Sequence, residues 1–133
     1  MNVSRELHSK LDLLGREFLA RVLEVETRRH PENVEALAEL GQVYTQLGQW
    51  ELGLTVDRKL VRLVPDNYTA HYNLACSLAL LERADAALEA LERAVALGYT
   101  DADFLASDPD LASLHQEARF RALLRRLRAS QTA

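Results

Sequence analysis

The sequence predicts an all-α solenoid of two to three antiparallel helix pairs with a helical cap at its C-terminal end. Three observations predict it. First, residues recur at a spacing of 34: Pro31 with Pro65, Asn33 with Asn67, Ala36 with Ala70, Leu40 with Leu74, Leu54 with Leu88, and Leu13 with Leu47 and Leu81. A fixed period of this length marks helix pairs stacked one on the next. Second, apolar residues within each period fall at helical spacing. Third, Gly and Pro together number only 8 in 133 residues, and Pro31 and Pro65 both fall between apolar stretches. The length fits a single domain over residues 1–133.

The first segment carries Val3, Leu7, Leu11 and Leu14 on one helical face. Gly15 is expected to turn the chain into a second amphipathic helix bearing Phe18, Leu19, Val22, Leu23 and Val25. Residues 2–31 therefore read as a degenerate first helix pair. The alternative is one helix running through Gly15, since a lone glycine weakens a helix without forbidding it. His30-Pro31 stops the segment, because proline cannot continue the hydrogen-bond ladder and disfavours helix just before it.

Residues 33–66 form the central repeat and residues 67–98 the next. Asn33 and Asn67 are good helix caps, with side chains able to accept from free backbone N–H groups. A first helix runs from Val34 to about Gln46, and a second opens at Trp50. Leu52, Leu54, Val56, Leu60, Val61 and Leu63 are expected to fill the helix-pair core. In the following repeat, Tyr68 to Leu80 and Ala84 to Leu97 take the same places, Glu82-Arg83 makes the turn without a glycine, and Gly98 caps the end.

Residues 100–129 change character and read as the cap. Thr100-Asp101-Ala102-Asp103 is expected to be a capping box opening a short helix through Leu105. Ser107-Asp108-Pro109 offers a cap followed by proline at the first helical position. From about Gln116, the residues Phe120, Leu123, Leu124 and Leu127 make an apolar stripe. A terminal repeat has an apolar flank that needs covering, and this stripe suits that role.

The set Leu37, Leu40, Gly41 and Tyr44 resembles the tetratricopeptide pattern of a large apolar residue, Leu-Gly, then Tyr. Ala87, Leu91 and Ala94 resemble the family's small, large, small pattern. The tail DPDLASLHQEARFRALLRRL is similar to those that close such arrays in many bacterial proteins, except that Ala118 stands where a proline is common before the Arg-Phe pair. Gly53 and Asp57 depart from the pattern, and both are expected to mark local looseness, or Asp57 to meet an arginine from the next element. The resemblance implies a non-enzymatic interaction scaffold or adaptor whose first helices line a concave groove. That groove would present Glu35, Ala38, Gln42 and Thr45, then Thr69, Tyr72, Asn73 and Cys76. This small, polar face with one aromatic suits a peptide or helix of another protein. Tyr72 is expected to be the anchor, its ring in the groove and away from the core. One subtype of the family grips chaperone C-terminal carboxylates, but only Asn73 matches its residue set, which disfavours that partner.

Composition narrows the alternatives. The net charge is −4, but its distribution is uneven. Residues 31–57 contain Glu32, Glu35, Glu39, Glu51 and Asp57 with no Lys or Arg, whereas Arg119, Arg121, Arg125, Arg126 and Arg128 face only Glu117. This basic surface is an alternative docking site, or a contact with the acidic region of a second copy; the runner-up function is accordingly a structural self-association module that uses the C-terminal amphipathic helix, giving a homo-oligomer. Its plain reading is the solvated face of a capping helix, so nucleic acid is disfavoured as a partner. The four histidines lie far apart, no phosphate loop or nucleophile elbow occurs, and Cys76 has no evident base. No catalytic residue, metal site or cofactor is expected. A single cysteine suits a reducing compartment, no run approaches the ~20 apolar residues of a membrane span, and the N-terminus lacks a signal-peptide core. A cytoplasmic protein without a membrane partner is the default.

Overall fold

The computed structural model describes residues 4–132. The chain runs through α1 (Arg5–Arg29), α2 (Val34–Gln46), α3 (Trp50–Leu63), α4 (Tyr68–Leu80), α5 (Ala84–Ala96), α6 (Ala102–Ser107), a 3-10 turn (Pro109–Leu114) and α7 (Ala118–Thr132). No strand occurs among the described residues.

Residues 5–29 form one helix, not the expected helix pair. Ser4 caps it, accepting from the Leu7 amide at 3.1 Å. Gly15 stays helical, and a Cβ added there would meet nothing within 4 Å among the described residues. The reason is energetic: an exposed glycine costs a helix only about 1 kcal/mol, and no proline or polar C-cap is present to force a turn. The stretch of the first segment before Ser4 lies outside the described residues. Ala20, Leu23 and Thr27 are the buried face of α1, and Ala20 and Leu23 pack in one cluster with Ala36, Leu40, Val43 and Tyr44 of α2.

The two repeats reuse the same local chemistry. Asn33 accepts from the Ala36 amide at 3.1 Å, and Asn67 from the Ala70 amide at 3.2 Å. At the inter-helix turns, Gln49 N–H donates to Tyr44 O, and Arg83 N–H to Leu78 O, both at 2.9 Å. This wrapped helix end needs a left-handed residue. Gly48 supplies it with φ +74°, and Glu82 adopts φ +59° at the equivalent position. Of the six residues expected to fill the α3 core, Leu54 and Leu60 are buried, whereas Leu52 and Leu63 are exposed. Gly53 is not loose as expected but a tight site, since a Cβ there would lie 3.4 Å from both the Ser77 and Thr45 hydroxyl oxygens.

The tail folds back on the array. Asp101, not Thr100, caps α6, accepting from the Phe104 amide at 3.0 Å, and the helix extends to Ser107. Asp108 caps the 3-10 turn through the Asp110 amide at 3.0 Å. Ser113 then donates to Ala79 O at 3.1 Å, which pins this turn on the end of α4. Phe120, Leu123 and Leu127 of α7 are buried in one continuous core with Leu78, Leu88, Leu91, Leu105, Leu111 and Leu114. No described helix is long and apolar enough to cross a membrane.

Candidate functional site

α2 and α4 lie side by side, and the refolded tail closes one side of the surface between them. The result is an open pocket of about 450 Å³. Gln42 and Thr45 of α2 and Thr69, Tyr72, Asn73 and Cys76 of α4 line it, together with Gly41 and Asp57 at its floor. Glu35 and Ala38, expected on the same face, do not line the pocket. The tail supplies Tyr99, Phe104, Asp108 and Asp110, and the start of α4 adds Tyr68.

The position of Tyr72 corrects the expectation of a free anchor. Only 7% of it is exposed. Its hydroxyl donates to Asp108 Oδ2 at 2.7 Å, and its ring stacks on Tyr99 with centroids 4.8 Å apart. Phe104 lies 6.0 Å away on another side, and Tyr68 meets the edge of Tyr99 at 6.0 Å. Tyr72 is therefore a fixed wall joining α4 to the tail. Burial and the Asp108 hydrogen bond push its phenol well above the ordinary value. Burial likewise raises Tyr99 to about 12.

The acidic groups are unusual. Asp57 is 1% exposed. Its Oδ2 accepts from Ser77 Oγ at 2.5 Å, in place of the expected arginine. Its Oδ1 has no partner and lies where a Cβ on Gly41 would collide with it. Burial raises Asp57 to about 6, against the lowering effect of the Ser77 hydrogen bond. Asn73 Nδ2 is also buried without a partner. Cys76, Asp108 and Asp110 bring their donor atoms within 4.8 Å of one another. As a metal set this trio is poor. Burial and then the charges of Asp108 and Asp110 push the Cys76 thiol far up, so the thiolate a metal needs is disfavoured. Among the described residues, no histidine lines the pocket beside Cys76.

No family model matches the chain. In sequence, 56 residues are 43% identical to part of a chloroplastic protein of Arabidopsis thaliana. That match covers 42% of this chain and 17% of the plant protein, so the chain spans a small part of the curated relative it matches. Among solved structures the chain is similar to MamA, a tetratricopeptide-repeat protein, with a TM-score of 0.70, 24% identity, 97% of this chain covered and 74% of that chain. A second MamA structure gives 0.62 at 29% identity over 75% of this chain and 53% of that one. The fold is a tetratricopeptide-like solenoid.

In tetratricopeptide terms, α2 and α4 are the first helices of two repeats, and α1 stands where the second helix of a preceding repeat would be. The tail residues of the pocket fall outside the repeat. Sequence periodicity could not have found them, although Asp108 was legible as a cap. The basic cluster divides. Arg119 pairs with Glu92 at 2.6 Å and Asp85 at 3.9 Å, and Arg121 donates to Gln116 O at 2.8 Å. Arg125, Arg126 and Arg128 are exposed on α7, with no ion pair among the described residues.

Proposed function

We propose that the chain is a non-enzymatic adaptor that binds a peptide or helical segment of another protein in the groove between α2 and α4. What supports this is the pocket. It is open and partly aromatic, and it is flanked by buried polar atoms that have no hydrogen-bond partner among the described residues. Buried polar atoms without a partner are costly, and two of them flank this pocket. A reducing, cytoplasmic setting suits the single buried thiol of Cys76.

The test is capture of a partner by the intact chain and two variants. Thr69 is exposed at the pocket edge, so Thr69→Trp should block the groove and weaken capture by at least about tenfold, the effect of losing one hot spot. The paired variant reverses Arg125 and Arg126 to Glu and should leave capture intact. The opposite pattern would move the interaction to α7.

Self-association is a second reading, and α1 favours it. Leu7, Leu11, Leu14, Phe18, Val22 and Val25 lie on one face and are 39–65% exposed. Their spacing of three and four is that of a helix-pairing seam. The occupant this face fits is the same stripe of a second copy, because a two-fold contact pairs identical surfaces. The apolar face of α7, by contrast, is buried in the chain's own core. Sedimentation should show a concentration-dependent dimer that Leu11→Glu with Phe18→Glu abolishes. A persistent dimer in that variant would remove α1 from the interface.

A further inference from the structure

Among the described residues, three carboxylates and no cationic side chain line the groove pocket. Asp108 and Asp110 have carboxylate oxygens within 4.8 Å of each other, and Asp57 sits at the floor with one oxygen unpartnered. No Lys, Arg or His lines the pocket, and none pairs with these three acids among the described residues. Around the acids stand the rings of Tyr68, Tyr72, Tyr99 and Phe104. A ring face is electron-rich and attracts a cation. Carboxylates this close disfavour each other's charge, and a positive charge beside them relieves that.

We infer that the pocket receives a positively charged side chain, lysine or arginine, of the segment bound in the groove. This rests on the groove reading above. Burial already shows what the missing charge would correct: desolvation and then the Asp108 charge raise Asp110, and desolvation raises Asp57. An ammonium or guanidinium head offers several donors for the half-buried carboxylate of Asp110, while Asp57, enclosed at the floor, attracts it through space. Its methylene stem would lie along the aromatic walls. A bare metal ion is the poorer occupant. The Cys76 thiol keeps its proton, Asp108 Oδ2 is already taken by Tyr72, and aromatic walls give a hard cation no ligand.

The experiment has two arms, both on the full chain. In the first, a random dodecapeptide display library is selected on the protein. Lysine or arginine should recur at one fixed position. Asp110→Asn should weaken a selected peptide by about tenfold or more, as loss of a charged hydrogen bond does, and Phe104→Ala by about threefold, as loss of one cation–ring contact does. In the second arm, amide resonances of Thr69, Asn73 and Asp110 are followed during titration with N-acetyl-lysine methylamide, N-acetyl-arginine methylamide, N-acetyl-leucine methylamide, spermidine and calcium chloride. The basic derivatives should move them and the leucine derivative should not. Peptides selected without a recurring basic residue overturn the inference and leave the groove reading standing. Failure to select any peptide, with a response to the basic derivatives alone, supports the cation pocket and defeats the peptide groove. A response only to spermidine or only to calcium assigns the pocket to a free ion and overturns the inference. Silence in both arms defeats both readings.

Discussion

Asp57 lies at the floor of the groove with one oxygen bonded to Ser77 and the other bare. Burial holds its carboxyl at about 6 instead of 3.8. Between these values the native state binds more protons than the unfolded chain, so stability contributed at low pH is lost as pH rises through about 6. Asn cannot titrate and can still accept from Ser77. Asp57→Asn should therefore gain stability over the parent by about 2–3 kcal/mol between pH 3.8 and pH 7. Urea unfolding of both chains at each pH checks this, and a pH-independent difference would show that Asp57 is not desolvated. Glu82 is the second informative residue. It adopts the left-handed φ of +59° that Gly48 takes one repeat earlier. Glu82→Gly should raise stability by up to about 1 kcal/mol, the cost of that conformation for an L residue. At this scale the sequence is half legible. It marks Asp57 as out of pattern and Glu82 as a turn without glycine. Ser77 as the partner of Asp57 is not readable, because it comes from the next repeat and only packing brings the two together.

The helices themselves are the most legible part. Asn33, Asn67, Gly48 and Pro65 bound elements whose apolar faces repeat, and those elements form where the period places them. The N-terminal segment reads as a pair because Gly15 and two apolar runs suggest a turn. Its first half is exposed throughout among the described residues, so helical continuity meets no tertiary competitor there, and Leu7, Leu11 and Leu14 stay exposed. Two truncations separate the elements. At concentrations below dimerisation, removing residues 1–14 should change stability by less than about 0.5 kcal/mol, as for changes away from any buried contact. A larger loss would mean that this segment folds back as a first helix. Ending the chain after His115 removes Phe120, Leu123 and Leu127, which are at most 4% exposed. Losing several buried side chains should cost several kcal/mol, at about 2–5 each, so that chain should unfold or aggregate in a thermal melt. An equally stable truncated chain would free α7 for another role.

At the scale of the molecule, the groove is built from two sources. The repeat contributes Gln42, Thr45, Thr69, Asn73 and the floor at Asp57, and the 34-residue period makes most of that side readable. The tail contributes Tyr99, Phe104, Asp108 and Asp110, and turns Tyr72 from an expected anchor into a wall. That half is illegible because the return of the tail onto α4 depends on long-range packing and on the Ser113 contact with Ala79. The rest of the surface offers two competitors to the groove, the apolar face of α1 and the basic face of α7. A photoreactive benzoylphenylalanine placed singly at Thr69, Leu11 or Arg125 in cells of the source organism distinguishes them in one measurement. The account predicts a covalent adduct to a different protein from Thr69 and none from Arg125, with Leu11 yielding only a dimer of the chain itself. An adduct from Arg125 with Thr69 silent would contradict it.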